Sequence, residues 1–251
     1  MKLNTINLTL QGKGGVGKSY ITSIFAQYIK DYKGVEISGA DTDPVNRSFA
    51  AFKSLNALPI DIIENDAISQ AKFDSIFELM LTDENSTFII DNGASTFLPF
   101  TKYIKDNGVI EMFEEAQKEV FIHTVIVGGQ SQNDTLQSLL TLFDLIKDSN
   151  NVKLVIWLNE FQGKITDAEK VFKAVAKKTA GFVVVENKNS DAFTADLEKL
   201  TKSRLTLKEA LASNDFNLMA KQRLKRVFND IYAQLDQIYD VAQSEKSVLE
   251  A

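Results

Sequence analysis

The sequence predicts an α/β fold in which a doubly wound, mostly parallel sheet is flanked by helices on both faces. Three observations carry that expectation. Short runs rich in β-branched and aromatic residues alternate with longer amphipathic stretches. A glycine-rich turn joins the first of the apolar runs to the first amphipathic stretch. Polar residues, several of them carboxylates, close the runs, and in open parallel sheets ligands bind beyond the carboxyl ends of the strands. The chain has 251 residues, 44% hydrophobic and 25% charged, enough for a substantial core in one domain over 1–251. With three prolines, no low-complexity stretch and no internal repeat, nothing marks a linker.

Residues 3–10 read as the first strand. Residues 18–30 (KSYITSIFAQYIK) follow as a helix with Ile21, Ile24, Phe25, Tyr28 and Ile29 on one face. A second strand at 35–40 runs into Asp41-Thr42-Asp43-Pro44. A short strand at 59–63 and a helix at 67–81 precede a buried strand at 87–90 (TFII) that ends at Asp91. Strands at 121–127 and 152–158 are followed by helices near 131–147 and 166–177, and 182–185 is the last clear strand. Beyond it lie a short helix at 207–212 and a long C-terminal helix near 217–242. Leu224, Val227, Phe228, Ile231, Leu235 and Ile238 form one stripe on that helix. Sustained heptads are absent, so the stripe reads as a face packed on the sheet rather than a coiled coil.

The glycine-rich turn carries the most specific chemistry. Gln11-Gly12-Lys13-Gly14-Gly15-Val16-Gly17-Lys18-Ser19 fits G-x-x-x-x-G-K-[ST] and adds Lys13 directly after the first glycine. Gly14, Gly15 and Gly17 let the backbone wrap its amides around an oxyanion without Cβ interference. The nucleotide-binding candidates are therefore Gly12, Gly14, Gly15, Val16, Gly17, Lys18, Ser19 and Tyr20. Lys18 would place its ammonium between terminal phosphates, and the Ser19 hydroxyl would ligate Mg²⁺. A turn that merely joins strand to helix is the ordinary alternative. The flanking elements favour phosphate binding, because the helix N-terminus points free amides and its positive dipole end at the loop. The fold expectation thereby sharpens to a P-loop NTPase.

Asp43, Asp91 and Asn159 each fall just after a predicted strand. Asp91 stands where a carboxylate would hold Mg²⁺ through its water shell, although Asn92-Gly93 beside it is also a strong turn signal. Asp43 suits a group that orients or deprotonates an attacking water, with Pro44 stiffening its turn. The alternative is a cap for a helix over 46–53. Guanine recognition by N-K-x-D has no match: Asn159-Glu160-Phe161-Gln162 lacks the lysine and the aspartate, which favours ATP. Asn159 either hydrogen-bonds adenine or is a strand-end turn residue.

The remaining features bound the function. A net charge of −6 restricts any nucleic-acid contact to a local patch. Zero cysteines exclude disulfides and thiolate metal sites. Asn4, Asn7 and Gln11 interrupt any apolar core of a signal peptide, and no run reaches the roughly 18 residues of a membrane span. The expectation is a soluble cytoplasmic protein. His123, the only histidine, lies in a predicted buried strand without ligand-type partners and reads as a core residue, as does Trp157. Lys202, Arg204, Lys208, Lys221, Arg223, Lys225 and Arg226 form a late basic cluster. A solvated helix face is its ordinary reading, since Asp230, Asp236 and Asp240 follow, and a DNA patch is the alternative.

K-G-G-x-G-K-S with the early Lys13 resembles the deviant Walker A loop of the MinD/ParA ATPases. Asp41–Pro44 is similar to their switch I, and the Asp91 segment to their Walker B and switch II. QGKGGVGKS, DTDPVN, IIDNGAS, FIHTVIVGGQ, VIWLNE and RLTLKEALAS…MAKQRLKRV together resemble, over nearly the whole chain, a plasmid conjugal-transfer branch of that family. The resemblance implies a slow Mg²⁺-dependent ATPase that dimerises around ATP. Lys18 and the loop amides would bind phosphates, Ser19 and Asp91 would serve Mg²⁺, and Asp43 would position water. Lys13 would reach the partner subunit's phosphates, so that hydrolysis reports assembly. It also implies partners in the conjugation or type IV secretion machinery, and a partition ATPase on non-specific DNA as the alternative. The C-terminal SEKSVLEA lacks the basic amphipathic pattern of a membrane grip, so recruitment to membrane or nucleoid is expected through partners. A transferase or ligase of the dethiobiotin-synthetase type, which also uses this fold, and an adaptor that binds nucleotide but scarcely turns over are the remaining rivals. Two positions depart from the family pattern: Val45 follows Asp43-Pro44, and Asp91-Asn92-Gly93-Ala94 replaces D-x-x-G.

Overall fold

The structure, a computed structural model, describes residues 4–64, 67–83, 85–188 and 190–249. Residue 3 of the predicted first strand and residues 250–251 of the C-terminal tail lie outside them. The strands are β1 (Thr5–Thr9), β2 (Ile37–Asp41), β3 (Leu58–Pro59), β4 (Ile63–Glu64), β5 (Ala67–Ile68), β6 (Thr87–Asp91), β7 (Glu119–Val127), β8 (Val152–Asn159) and β9 (Thr179–Val185). The helices are α1 (Lys18–Gln27), α2 (Gln70–Thr82), α3 (Phe97–Asp106), α4 (Val109–Glu115), α5 (Gln132–Ile146), α6 (Glu169–Val175), α7 (Asp191–Lys202), α8 (Leu207–Ala212) and α9 (Leu218–Leu249).

Seven strands form one sheet in the order β3-β2-β6-β1-β7-β8-β9, and every pairing in it is parallel. β4 and β5 make a separate antiparallel pair. Register aligns the strand ends: Thr9 and Asp41 both stand opposite Asp91. The loops after β1, β2 and β6 therefore leave the sheet side by side, where neighbouring strands carry the chain to opposite sides.

Side-chain alternation makes two cores. Ile89, Phe121, Val125 and Trp157 face the layer of α1, α7, α8 and α9. Phe88, Ile90, Ile122 and Ile156 face the layer of α2 to α6. This period of two on strands buried on both faces is what a doubly wound sheet requires. The stripe on α9 packs into the first core as expected, with Leu224, Phe228, Ile231, Leu235 and Ile238 buried and Val227 partly so.

One polar seam crosses that core. Trp157 Nε1 donates to His123 Nδ1 at 2.9 Å, which leaves the His123 proton on Nε2, 2.9 Å from the Tyr239 hydroxyl. Tyr239 donates to Asn7 Oδ1 at 2.8 Å, and Asn7 Nδ2 donates to the Phe88 carbonyl at 3.2 Å. Burial holds His123 neutral, its pKa pushed down to about 3. Both residues are core residues, as expected.

Several boundaries differ from expectation. The first helix ends at Gln27 and closes through a wider turn over Tyr28–Tyr32. No helix forms over 46–53; the segment makes turns and a short 3-10 turn at Lys53–Leu55, because Asp41 draws in its backbone by accepting from the Phe49 and Ala50 amides. The strand expected over 59–63 divides between β3 and β4. The last strand starts earlier, at Thr179, and α3, α4 and α7 were not anticipated.

Candidate functional site

The phosphate loop leaves β1 and turns directly into α1. Gly15 and Gly17 sit at φ +74° and +98°, a region that penalises any side chain, and Gly17 is the N-cap of α1 without a capping side chain. The first amides of α1 are thus left for an anion. Three amide side chains fix the loop, one at its start and two from the end of β8 and the turn after it. Buried Gln11 donates to the Val125 carbonyl at 2.7 Å and accepts from the Lys13 amide at 3.2 Å. Asn159 Nδ2 donates to the Val16 carbonyl at 3.0 Å, and Gln162 Nε2 to the Gly15 carbonyl at 2.8 Å.

The structure brings Lys18, Ser19, Asp43 and Asp91 together. Lys18 is buried, and its ammonium donates to the Lys13 carbonyl at 3.1 Å. Desolvation lowers its pKa, opposed by the charges of Asp91 and Asp43. Asp91 is buried and accepts from Thr22 Oγ1 at 2.9 Å, with Ser19 beside it. Burial pushes its carboxyl up to about 7, with Ser19 and Thr22 working in the opposite direction. Asp43 Oδ1 accepts from the amides of Val45 and Asn46 at 2.9 and 3.0 Å, which makes it the organiser of its own turn. Its side chain also lines the cavity above the loop, together with Lys18 and Ser19. Asp41 is different: its carboxylate is consumed by three backbone amides and holds the turn rather than the cavity.

The donor set fits Mg²⁺. Ser19 and Asp91 offer hard oxygen ligands within hydrogen-bonding reach of each other. Among the described residues no group of three or more His, Cys, Asp or Glu could hold a metal by itself. A cation that takes one or two protein oxygens and completes its shell with phosphate and water is the one that such a site suits.

Two cavities meet beside the start of α1. The larger, about 520 Å³, covers Gly14, Gly15, Gly17, Lys18 and Ser19. The second, about 320 Å³, is walled by Phe161, Leu197 and Asn159. Tyr20 and Thr201 line both. Asn159 borders the second cavity with its amide already engaged by the Val16 carbonyl and the Phe161 amide, so it braces the loop. Lys13 is half-exposed, and its ammonium pairs with Asp134 at 2.8 Å, at the start of α5.

Sequence reasoning missed Thr22, Gln162 and Thr201, and it placed Arg204 only in the late basic cluster, not at this cavity. Thr22 had a signal, a polar residue on the buried face of α1 four positions after Lys18. Gln162 had none, since its partner is 147 residues away. Part of the basic cluster is neutralised: Arg223 pairs with Asp196 at 2.7 Å, Lys202 with Glu198 at 2.9 Å and Lys208 with Asp31 at 3.7 Å. Among the described residues no helix is long and apolar enough to cross a membrane.

No family model matches the chain. It is 35% identical over 237 residues to the protein TraL of Escherichia coli, covering 92% of this chain and 97% of that one. A second Escherichia coli TraL matches equally. Among solved structures, the septum site-determining protein MinD of Pyrococcus horikoshii OT3, complexed with Mg-ADP, aligns with a TM-score of 0.54 at 12% identity, covering 94% of this chain and 98% of that one. A ParA family ATPase from Chlorobium tepidum TLS aligns at 0.52 and 16%, covering 92% and 99%. At such identities the likeness is one of fold.

Proposed function

The chain belongs to the TraL family and has the fold of the MinD and ParA ATPases, and on that premise we propose that it is an Mg²⁺-dependent, slowly hydrolysing ATPase that dimerises on ATP. The observation that carries the reading is the convergence of Lys18, Ser19 and Asp43 on one cavity at a helix N-terminus, with the charge of buried Asp91 acting on Lys18 from beneath it. The loop amides and Lys18 bind the phosphates, and the cavity beside Asn159 and Phe161 takes the base. Ser19 and Asp91 hold Mg²⁺, which when bound neutralises charge on the phosphate oxygens. Asp43, oriented by two backbone amides, accepts a hydrogen bond from the attacking water. That water forms the new bond to the γ-phosphorus as the bond to the bridging oxygen breaks.

Lys13 completes the site only across a dimer in this reading, since Lys18 already serves the phosphates of its own subunit. Hydrolysis is then slow until two subunits meet. The family membership supports a role as an accessory ATPase of plasmid conjugal transfer, acting in the cytoplasm as one unit over 1–251. Proteins of the conjugation or type IV secretion machinery are its partners. Partition by binding non-specific DNA is the rival outcome, and salt-sensitive, ATP-dependent retention of arbitrary duplex DNA would establish it.

Calorimetry and phosphate release on the wild type and Lys18→Ala test the core of the reading. The wild type should bind ATP with Mg²⁺ and release phosphate, while Lys18→Ala binds weakly and releases none. Equal affinity and turnover in the two proteins would sink the assignment.

A further inference from the structure

Arg204 stands at the corner between α7 and α8 and lines the larger cavity with Lys18, Tyr20 and Thr201. Three of its surroundings set it apart. Its basic neighbours Lys202, Lys208 and Arg223 each face a carboxylate within 4 Å, whereas among the described residues Arg204 has none. Its backbone lies at φ +53°, a left-handed conformation uncommon for a residue with a side chain, and is held by a bond from its amide to the Thr201 carbonyl at 3.2 Å. Its guanidinium lies 6.0 Å from the centre of the Phe52 ring, at the end of the loop that begins with Asp43.

We propose that Arg204 is a nucleotide-binding residue that contacts the α-phosphate. This rests on the reading of the two cavities as the phosphate and base sites. Lys18 and Ser19, at the first turn of α1, serve the outer phosphates. Tyr20 and Thr201 line both cavities and so mark the seam between phosphates and base, and Arg204 follows Thr201 by three residues. The group that a nucleotide presents at that seam is its α-phosphate with the ribose. An exposed cation with no carboxylate partner is suited to that anion, and a guanidinium can engage two phosphate oxygens at once.

The contact also links the nucleotide to distant parts of the fold. Phe52 brings the end of the Asp43 loop under the guanidinium, and two residues on, Ser54 Oγ donates to Glu209 Oε2 at 3.0 Å. Glu209 closes the capping box that starts α8. Binding at Arg204 thus bears on the α7–α8 corner and on the segment carrying Asp43 together.

The test is calorimetric titration of ATP and ADP into the wild type, Arg204→Gly, Arg204→Lys and Lys18→Ala, with adenosine as a probe lacking phosphate. Glycine suits φ +53°, so Arg204→Gly removes the guanidinium without strain, and its melting temperature should match or exceed that of the wild type. Its affinity for ATP and ADP should fall by the same factor, roughly ten- to hundredfold, with adenosine unchanged. Arg204→Lys should restore part of the loss, and rising salt should shrink the gap between wild type and Arg204→Gly. A loss confined to ATP would move the contact to the γ-phosphate and overturn the assignment. Wild-type affinities in Arg204→Gly, with Lys18→Ala impaired, would overturn it alone. A wild type that binds no nucleotide would overturn the reading of the cavities, and this inference with it.

Discussion

Lys13 and Asp134 form an ion pair at 2.8 Å that ties the phosphate loop to the first turn of α5. Both side chains are partly exposed, at 39% and 57%, so solvent screens the pair and it is worth at most about 1 kcal/mol. It parks the ammonium on its own subunit. If Lys13 acts across a dimer, Asp134→Asn should strengthen ATP-driven association by up to roughly 25-fold, about fivefold for each of the two ion pairs released, leaving monomer affinity for ATP unchanged. Light scattering over a concentration series reads this directly. Weaker association would mean that Asp134 presents Lys13 to the partner rather than holding it back.

Asp43→Ala should still bind ATP yet hydrolyse it about 10²- to 10⁴-fold more slowly. Lys13→Ala should bind ATP but neither associate nor turn over. Mixed together, the two variants should recover part of the phosphate release, because one site in the mixed dimer has an intact Asp43 facing an intact Lys13. If mixing restores nothing and ATP and ADP give one mass, the switch is monomeric.

Gly128→Ala should disturb the phosphate loop from a distance. A Cβ there would lie 2.3 Å from the Gly163 carbonyl oxygen and 2.4 Å from that of Lys164, main-chain atoms that cannot rotate aside. Displacing 163–164 moves Gln162, whose amide holds the Gly15 carbonyl. Overpacking of this kind costs about 1–3 kcal/mol, so thermal denaturation should show a lower Tm, and titration a weaker affinity for ATP.

The strand ends and the phosphate loop were legible because their signals are local: short runs rich in β-branched and aromatic residues, glycines in sequence, and carboxylates directly after strands. Asp91 and Ser19 meet because β1 and β6 are neighbours in register; the alternation of strands and helices implied a parallel sheet but not that strand order. The helices α3, α4 and α7 escaped for a different reason. Phe193, Leu197 and Leu200 have helical spacing and Ser190 caps α7, but the run is short and mostly polar. Phe97, Phe100 and Ile104 on α3 are similarly spaced, with Pro99 in the first turn and Gly108 dividing α3 from α4. Contacts such as Gln162 with Gly15, or Arg204 with Phe52, depend on how separate layers settle against one another, and no local pattern encodes them.

His123 makes stability sensitive to acid. Its folded pKa, about 3, lies below the 6.5 of an exposed histidine. Between those values the unfolded chain binds the extra proton, so stability is complete above pH 6.5 and falls as pH drops through the window. Urea denaturation at pH 7, 6, 5 and 4 should show that decline, and His123→Gln should flatten it even if the variant is less stable throughout. Parallel pH profiles for the two proteins would count against a neutral buried His123.

The polar seam has a consequence for synthesis. Tyr239 and Asn7 are hydrogen-bonded across 232 positions, so the central strand of the sheet finds its last partner only near the end of the chain. On a ribosome, His123 and Asn7 would wait beneath an uncovered apolar face until α9 emerged. Contacts of such sequence separation slow closure, and open cores expose surface that aggregates. The nascent protein is therefore most vulnerable in the interval before α9 is released, and a chain ending before Tyr239 would remain in that state for good.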